Sequence, residues 1–345
     1  MKRHTVTIKD IALKLGISPS TVSRALKDHV EISQETKDSV KRVAAELNYQ
    51  PNSLALSLRY SKSNTIGVII PEIVHFFFST VISGIEDVAH ARGYNIIITQ
   101  SNESVDREIQ NIQTLFNNRV DGVLMSISKE TESFEHLEAL QKRGLPIVFF
   151  DRIVEEMHCS QVTVDDFMGG YQATEHLIKQ GYKRIAHLAG PHNLHISIDR
   201  MNGYKKALTD NDLAVDDSLI IEDSAFNEGA AYQATRHLLT HYHPDALFAA
   251  NDISAMAAIK AAKAYGRAVP YDFGVVGFSN WQFSSLTQPS ISTIEQPGFE
   301  MGQRAAELLI KELESEETEM LPPEHVILPT RLIARDSSHK DREKG

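Results

Sequence analysis

The chain has very little cysteine, since Cys159 is the only one among 345 residues. A single thiol excludes intramolecular disulfides and cysteine-rich zinc sites. Long hydrophobic runs are also missing: the longest, such as 66–71 and 145–150, are far shorter than the ~20 residues that cross a bilayer. The residues after Met1 form no apolar segment typical of a signal peptide. We therefore expect a cytoplasmic protein with no membrane partner.

Charge is unevenly distributed along a chain of otherwise ordinary globular composition, whose length predicts two or three domains. Residues 1–62 hold 11 Lys and Arg against 6 Asp and Glu, a net charge of +5. The remainder holds 24 against 40, a net charge of −16. This division predicts that only the first segment meets a polyanion. A chance fluctuation in a short segment is the alternative.

The basic segment has the signals of two short helices joined by a tight turn. Thr7 and Asp10 are placed to cap the first helix, and Gly16 ends it. Ser18 followed by Pro19 begins the second, which we expect to reach Lys27. A third helix is predicted over 34–47. The pattern indicates a helix-turn-helix, whose second helix enters a DNA major groove by its N-terminal end.

The predicted second helix carries small polar side chains and one guanidinium on its outer side and leading end. Arg24 can make a forked contact to guanine or bind a phosphate. Pro19 and Ser20 are expected to lie nearest the base edges. The candidate DNA contacts of this helix are Pro19, Ser20, Thr21, Ser23 and Arg24. A three-helix bundle without any ligand is the alternative.

Beyond residue 62, short β-branched runs alternate with helical stretches, which predicts parallel sheets covered by helices. A first series has strands at 66–70, 95–99, 122–126 and 147–150. A second begins near Gln161, with strands centred on 162–164, 185–188, 219–221, 246–250 and 274–278. We expect the last helix, 297–313, and a strand at 326–328 to cross back and close the lobes. The fold class is thus an all-α helix-turn-helix head with an α/β body of two doubly wound lobes.

Polar side chains follow several of the predicted body strands. Asp151 and Arg152 follow one strand, and Asn251 and Ser279 follow two others, while Arg200 lies in a helix of the second series. Carboxylates, amides and guanidinium groups bind sugar hydroxyls, and ligands of such sheets bind outside the carboxyl ends of the strands. Asp and Asn after a strand also cap helices. For the neighbouring Asp252, a role as a helix cap is at least as well supported as a contact with a ligand.

The body lacks the motifs of the common cofactor classes. No phosphate-binding loop and no dinucleotide fingerprint is present. His237, His241 and His243 cluster on a polar helix end without carboxylates at ligand spacing, so solvent-exposed histidines are the favoured reading. No nucleophile and base are recognisable as a pair. We therefore expect no metal, no cofactor and no enzymatic activity.

The order of these motifs resembles the lactose/galactose repressor (LacI/GalR) family. The head matches without gaps, and the resemblance continues over the whole body. Its motifs are Val6-Thr7-Ile8-Lys9-Asp10-Ile11-Ala12, Gly16-Ile17-Ser18-Pro19-Ser20-Thr21-Val22-Ser23-Arg24 and Leu47-Asn48-Tyr49-Gln50-Pro51-Asn52. It implies a DNA-binding domain over 1–50 that includes Thr7 and Asn52, a hinge over 51–63, a periplasmic-binding-protein-like body over 64–335 and a polar tail over 336–345.

The resemblance also implies roles for single residues of the hinge and of the ligand site. Leu58 aligns with a leucine that wedges into the central minor groove of the DNA. Leu56 stands where the family often has Arg. Without the resemblance, the pattern of Leu56 and Leu58 would instead predict linker residues that pack on the body. In the run 75–79, Phe77 and Ser79 align with a loop that touches the effector. Phe226 aligns with an aromatic that lies against the sugar.

One departure from the family concerns the effector. Members that bind simple sugars usually have Asp where this chain has Ser279. A hydroxyl there removes a bidentate acceptor for two sugar hydroxyls. The effector is therefore expected to be an acidic sugar, a phosphorylated sugar or another small molecule.

These observations together predict a homodimeric transcription regulator, most readily a repressor. It would bind a pseudo-palindromic operator and a small, carbohydrate-type effector. The tail lacks apolar heptads, so we expect no coiled-coil tetramer. The alternatives are a sugar-binding transport protein, a sugar-modifying enzyme and an activator in place of a repressor.

Overall fold

The structure is a computed structural model that describes residues 6–49, 62–222, 227–315 and 322–340. It forms two compact units, Met1–Ser63 and Asn64–Gly345. None of the helices in these ranges is long and apolar enough to cross a membrane.

The first unit contains the three helices expected from the sequence, around a core of small and branched side chains. Gly16 has a φ of 65°, a left-handed conformation that turns the chain between the first two helices. Ser18 accepts a hydrogen bond from the amide of Thr21 and so caps the second helix. The helices are α1 (Ile8–Leu15), α2 (Pro19–Leu26) and α3 (Gln34–Glu46).

The first lobe of the second unit is a parallel six-stranded sheet with helices on both faces. Its strands in spatial order are β11 (His325–Leu328), β5 (Gln161–Val164), β4 (Ile147–Phe150), β3 (Gly122–Met125), β1 (Thr65–Ile70) and β2 (Asn95–Gln100). Its helices are α4 (Phe76–Ala91) and α11 (Gly298–Glu314) on one face, and α5 (Val105–Asn117) and α6 (Glu135–Gln141) on the other. The sequence analysis assigned β5 to the second series, and this assignment is wrong, because β5 pairs with β4 and β11.

The second lobe repeats this architecture with one antiparallel edge, where residues 331–333 pair with residues 293–295. Its strands in spatial order are β12 (Arg331–Ile333), β10 (Ser292–Glu295), β9 (Gly274–Phe278), β8 (Ala246–Ala249), β6 (Ile185–Ala189) and β7 (Ile220–Glu222). Its helices are α7 (Asp166–Lys179) and α8 (His195–Asp210) on one face, and α9 (Glu228–His241) and α10 (Asp252–Ala264) on the other. Two short 3₁₀ turns complete the lobe at Asp217–Leu219 and Gln282–Ser285.

The chain passes between the lobes three times, at 165, at 296–297 and at 329–330. The expected return of the last helix and strand is confirmed, since α11 and β11 both belong to the first lobe. Helix α11 packs closely against α4: a Cβ at Gly84 would lie 2.0 Å from the carbonyl oxygen of Phe299, and one at Gly302 2.0 Å from that of Val81. Glycines at these positions therefore let the two helix backbones touch.

Residues just beyond the expected boundary at 336 pack into the second lobe. Ser337 and Ser338 are fully buried in the second lobe. Ser337 donates a hydrogen bond to the carbonyl of Val275, and the Ser338 hydroxyl lies 2.7 Å from Nε2 of His176. Small hydroxyls can fill a core position when they are hydrogen-bonded, which composition alone does not reveal.

Histidine 187 gives the second lobe a sensitivity to acid. Its ring is fully buried and stacks between the rings of Tyr204 and Phe248. Burial, assisted by the charge of Arg200, lowers the pKa of His187 to about 4, although a hydrogen bond with the Phe248 carbonyl acts the other way. Because the unfolded chain then binds the proton more readily, stability is lost as the pH falls from about 6.5 towards 4.

Replacing this histidine by phenylalanine should weaken the acid response. Between pH 7.5 and pH 5 we expect wild type to lose about 2 kcal/mol more unfolding free energy than H187F. Urea unfolding at both pH values measures the loss of unfolding free energy in each protein. The other buried histidines contribute equally to both losses, so their effect cancels in the comparison. Equal losses in the two proteins would contradict this origin.

Candidate functional site

The leading end of α2 is open to solvent, as a DNA-reading helix requires. Pro19, Ser20 and Arg24 are exposed, whereas Val22 and Ala25 face the core. Thr21 and Ser23 are half-buried, and Thr7 is exposed at the start of α1. The helix thus presents polar groups outward and carries no acid in its first turn.

The guanidinium of Arg24, on the exposed side of α2, forms an ion pair that is itself open to solvent. Its Nη1 lies 3.1 Å from Oε2 of Glu31, and both side chains are more than half exposed. An ion pair of this kind contributes about 0–1 kcal/mol, so Arg24 can leave it at small cost. The two further DNA contacts expected from the sequence, Asn52 and Leu58, lie outside the described residues.

In the second unit, the carboxyl ends of both sheets bring titratable groups together. Asp151 and Arg152 follow β4, and Arg200 projects from α8 of the other lobe. All three side chains are buried. Burial raises the pKa of Asp151, while the charges of Arg152 and Arg200 act in the opposite direction, which places all three within electrostatic reach. We call this region between the lobes the cleft.

Arg152 is neutralised from within the first lobe. Its Nη1 donates to Oε2 of Glu103 at 2.8 Å, and the same oxygen accepts the amide of Lys129 at 2.9 Å. Burial would raise the pKa of Glu103, but the pairing with Arg152 brings it below its ordinary value. The Nε atom of Arg152 is buried and has no hydrogen-bond partner in the part of the chain described.

Arg200 is neutralised from within the second lobe. Its Nε donates to Asp166 at 2.7 Å, and its Nη1 donates to the carbonyl of Ala250 at 2.8 Å. The guanidinium carbon lies 3.7 Å above the ring of Phe278. Burial raises the pKa of Asp166 to about 7, with Arg200 opposing the shift. Arg200 therefore fixes α8 to the strand ends of β8 and β9.

Ser279 is connected to Asp151 through a residue that the sequence analysis missed. The Ser279 hydroxyl donates to Oε1 of Gln296 at 2.7 Å, so the Gln296 carbonyl is occupied. The amide of Gln296 lies close enough to Asp151 to lower its pKa, and its Nε2 has no well-formed hydrogen bond within the described part of the chain. Gln296 lies in a crossover between the lobes, so strand-end reasoning did not identify it.

Asn251, and not Asp252, is the cap of the helix that follows β8. Asn251 caps α10, because its Oδ1 accepts the amide of Ser254 at 2.8 Å. Asp252 instead accepts the amide of Trp281 and the hydroxyl of Thr293. Burial raises the pKa of Asp252 to about 7. Its carboxyl group thus positions the loop after β9.

Among the described residues, a ring contact and a hydrogen bond join the lobes across the cleft. The rings of His75 and Trp281 meet edge to face, with centroids 5.1 Å apart. Nδ2 of Asn193 donates to the carbonyl of Lys129 at 2.6 Å. Because Lys129 also binds Glu103, a continuous set of hydrogen bonds runs from Arg152 in one lobe to Asn193 in the other.

The run 75–79, for which ligand contacts were expected, opens helix α4, and its side chains have partners within the protein. Phe77 belongs to the core of the first lobe, where its ring packs against Phe78, so it is not available to a ligand. The hydroxyl of Ser79 donates to the carbonyl of Phe76 within its own helix. His75 is the residue of this run that faces the second lobe. Phe226 lies outside the described residues.

Several buried polar atoms at this edge of the sheets have no hydrogen-bond partner among the described residues. Such atoms are rare in folded proteins and require an explanation. They are the hydroxyls of Ser101, Ser126 and Ser197, Nε of Arg152, Nε2 of His195 and Nε2 of Gln296. They follow β2, β3, β4 and β10 or begin α8, so a ligand in the cleft is the natural partner. In contrast, no group of described residues with three or more His, Cys, Asp or Glu could hold a metal ion.

Comparison with known proteins identifies both units. Residues 7–52 match the family model of bacterial regulatory proteins of the lacI family. Residues 63–336 match the model of periplasmic binding proteins and the sugar-binding domain of the LacI family. The chain belongs to the LacI family. It is therefore a DNA-binding transcriptional regulator with a sugar-binding type of domain, as the sequence predicted.

Relatives of the LacI family resemble the chain over nearly its whole length. The ribose operon repressor of Halalkalibacterium halodurans is 34% identical over 96% of this chain and 97% of its own. A lac repressor dimer bound to operator and the anti-inducer ONPF matches at 25% identity and a TM-score of 0.83, covering 96% of this chain and 99% of that one. A complex of the transcriptional regulator CelR with cellobiose matches at 29% identity and a TM-score of 0.73, with the same coverage.

Sequence reasoning from the LacI resemblance missed three residues that the geometry brings to the cleft, Asn193, His195 and Gln296, and it named His75 only as part of the run 75–79. His195 begins α8, and burial together with the charges of Arg200 and Arg152 lowers its pKa to about 4. The only available signal for His195 was its place in the loop after β6. Gln296 and Asn193 carried none, because amides are common in loops.

The bond between Asn193 and Lys129 should slow the release of a ligand held in the cleft of this LacI-family protein. Asn193→Ala removes one hydrogen bond, worth about 0.5–1.5 kcal/mol, from an exposed position. We expect ligand dissociation about 2- to 10-fold faster, measured by stopped flow, with unchanged operator binding by the ligand-free protein. Asn211→Ala is the matched control, since Asn211 Nδ2 bonds the Ala207 carbonyl within one lobe. Equal rates for the two variants would contradict the role.

Proposed function

We propose that the protein is a repressor that binds a pseudo-palindromic operator as a homodimer and responds to a small carbohydrate held in the cleft. The observation that carries this proposal is the set of unpartnered buried polar atoms at the strand ends, in the same chain as an exposed recognition helix. The relatives are in accord, since they include a ribose operon repressor and a regulator bound to cellobiose.

In the head, each candidate DNA contact has a physical role. Arg24 binds a guanine edge or a phosphate, and Ser20, Thr21 and Ser23 supply short donors and acceptors beside it. Pro19 brings the start of α2 close to the bases, and Thr7 at the start of α1 faces a phosphate. Leu58 and Asn52 are proposed from the sequence resemblance alone.

In the cleft, the carboxylate of Asp151 accepts ligand hydroxyls, and Nε of Arg152 and Nε2 of Gln296 donate to ligand oxygens. Arg200 and Ser279 act by position, because their polar atoms already bind Asp166, Ala250 and Gln296. Asn251 is similarly committed as a helix cap.

Ligand binding in the cleft and DNA binding by the head are coupled in this proposal. Any ligand that changes operator affinity must have its own affinity changed by the operator by the same factor. The proposal places the protein in the cytoplasm, where operator DNA is found, and gives it no catalytic role. Its relatives are named as regulators.

The experiment that tests the proposal combines a DNA selection with a ligand screen. Purified protein should enrich a twofold-symmetric duplex from a random library, with an affinity that falls steeply as salt increases. A thermal-shift screen of sugars should find a compound that raises the melting temperature. Sugar binding without any DNA enrichment would favour a sugar-binding protein with no DNA function. Chemical conversion of a bound sugar would favour an enzyme.

A further inference from the structure

The cleft contains two buried guanidinium groups, but both are already neutralised by carboxylates of their own lobe. Arg152 is 2.8 Å from Glu103, and Arg200 is 2.7 Å from Asp166. Side chains of all four residues are at most about a tenth exposed. Each guanidinium is therefore paired with an acid of its own lobe, and of their buried nitrogens only Nε of Arg152 is left without a hydrogen-bond partner among the described residues.

The remaining charges of the cleft do not restore a positive balance. Asp151 is a third buried acid that shares Arg152 and Arg200 as neighbours. Glu72 acts on Arg152 and also lies 2.9 Å from His75. The charge of Lys129 also acts on Glu103. Arg152, Arg200 and Lys129 thus lie among four acidic side chains, Glu72, Glu103, Asp151 and Asp166, and burial raises the pKa of the last two.

Apart from Nε of Arg152, the unpartnered polar atoms of the cleft belong to neutral groups suited to uncharged hydroxyls. Three are serine hydroxyls, which both donate and accept. Nε2 of Gln296 is a neutral donor, and the buried ring of His195 remains uncharged at neutral pH because burial and two arginines lower its pKa to about 4. Such a set satisfies a polyol, in which each hydroxyl also donates and accepts. An anion costs more to desolvate than a hydroxyl and is bound most strongly by charged donors.

We propose that the cleft selects an uncharged, polyhydroxylated ligand and rejects its phosphorylated and carboxylated forms. This inference rests on the proposed effector function and deepens it. It differs from the expectation based on Ser279 alone, which favoured an acidic or phosphorylated sugar. The structure argues against that expectation because Glu103 and Asp166 already neutralise the two arginines.

The glutamate that neutralises Arg152 becomes the determinant of this charge selection. Glu103→Gln removes one negative charge and keeps a side chain of equal size whose oxygen can still accept a hydrogen bond. The guanidinium of Arg152 would then present an uncompensated charge to the cleft. Selectivity against anions should fall in this variant while neutral ligands still bind.

The test is calorimetric titration of the full-length protein with matched compounds. Ribose is compared with ribose 5-phosphate, glucose with glucose 6-phosphate and gluconate, and cellobiose is added as a neutral disaccharide. For wild type we expect at least one neutral sugar to bind at least 10-fold more tightly than its charged counterparts. In E103Q this ratio should shrink at least 5-fold. The control is E314Q, which breaks the equivalent Arg92–Glu314 pair, 3.1 Å apart on the surface of the first lobe, and should keep the wild-type ratio.

Each other outcome contradicts the inference in a distinct way. Tighter wild-type binding of a phosphate or sugar acid would overturn it while leaving the proposed effector function intact. An unchanged ratio in E103Q, with normal neutral binding, would show that Glu103 does not set the charge balance. Binding of none of the compounds by a protein that still binds operator would overturn both the inference and the proposed carbohydrate effector.

Discussion

Replacing Arg24 by alanine is expected to weaken operator binding by about 1–3 kcal/mol, which is roughly 5- to 150-fold. Arg24 is exposed on α2, and its ion pair with Glu31 is too weakly held to compete with a bidentate contact to guanine. Anisotropy titrations with the selected operator and with a scrambled duplex measure the loss. If Arg24 reads a base, the loss appears mainly on the operator.

A lysine at the same position distinguishes base reading from phosphate binding. Arg24→Lys keeps the charge but loses the planar fork, so a base-reading role predicts a loss close to that of alanine. A phosphate role predicts near-normal affinity for R24K and a uniform loss for R24A on both duplexes. Wild-type affinity in the alanine variant would eliminate Arg24 from the interface.

Replacing Asp151 by asparagine is expected to abolish the response to the ligand while leaving operator binding intact. Asp151 has a φ of 61°, a left-handed conformation that asparagine also tolerates, so the backbone should be preserved. The substitution removes a charged acceptor of ligand hydroxyls. A hydrogen bond to a charged group is worth about 1.5–3 kcal/mol, or 10- to 150-fold in ligand affinity. Calorimetry with the sugar identified for wild type provides the measurement.

Asp212→Asn is the matched control for this variant. Asp212 has a φ of 56° but is exposed after α8, away from the cleft. It should bind the sugar and the operator as wild type does. Loss of operator binding in D151N alone would indicate a folding defect in the first lobe, and unchanged sugar affinity would remove Asp151 from the site.

Local signals in the sequence were sufficient for the helices of the head and for most of the body. Ser18-Pro19 and Gly16 specify helix ends by chemistry that acts within a few residues, and the structure confirms both. Strand β5 was assigned to the wrong lobe because its short apolar sequence indicates a buried strand but not the sheet to which it belongs. Which sheet it joins is decided by its pairing with β11, more than 150 residues later.

The cleft was less accessible to sequence reasoning than the fold. Asp151 and Arg152 were identified because a polar pair directly follows an apolar strand. Phe77 was placed at the ligand although its ring lies in the core, since an aromatic run does not reveal which ring faces inward. The neutralisation of Arg152 by Glu103 joins residues 49 positions apart, so the charge of the cleft emerges only in three dimensions.

The most direct test of the account is a pair of titrations on the same purified protein. Operator affinity is measured with and without a saturating sugar, and sugar affinity with and without saturating operator. The account predicts that each ligand changes the affinity of the other by the same factor, at least about 5-fold, and that R24A and D151N each remove one side of the cycle. Two ligands that bind independently of each other would contradict it.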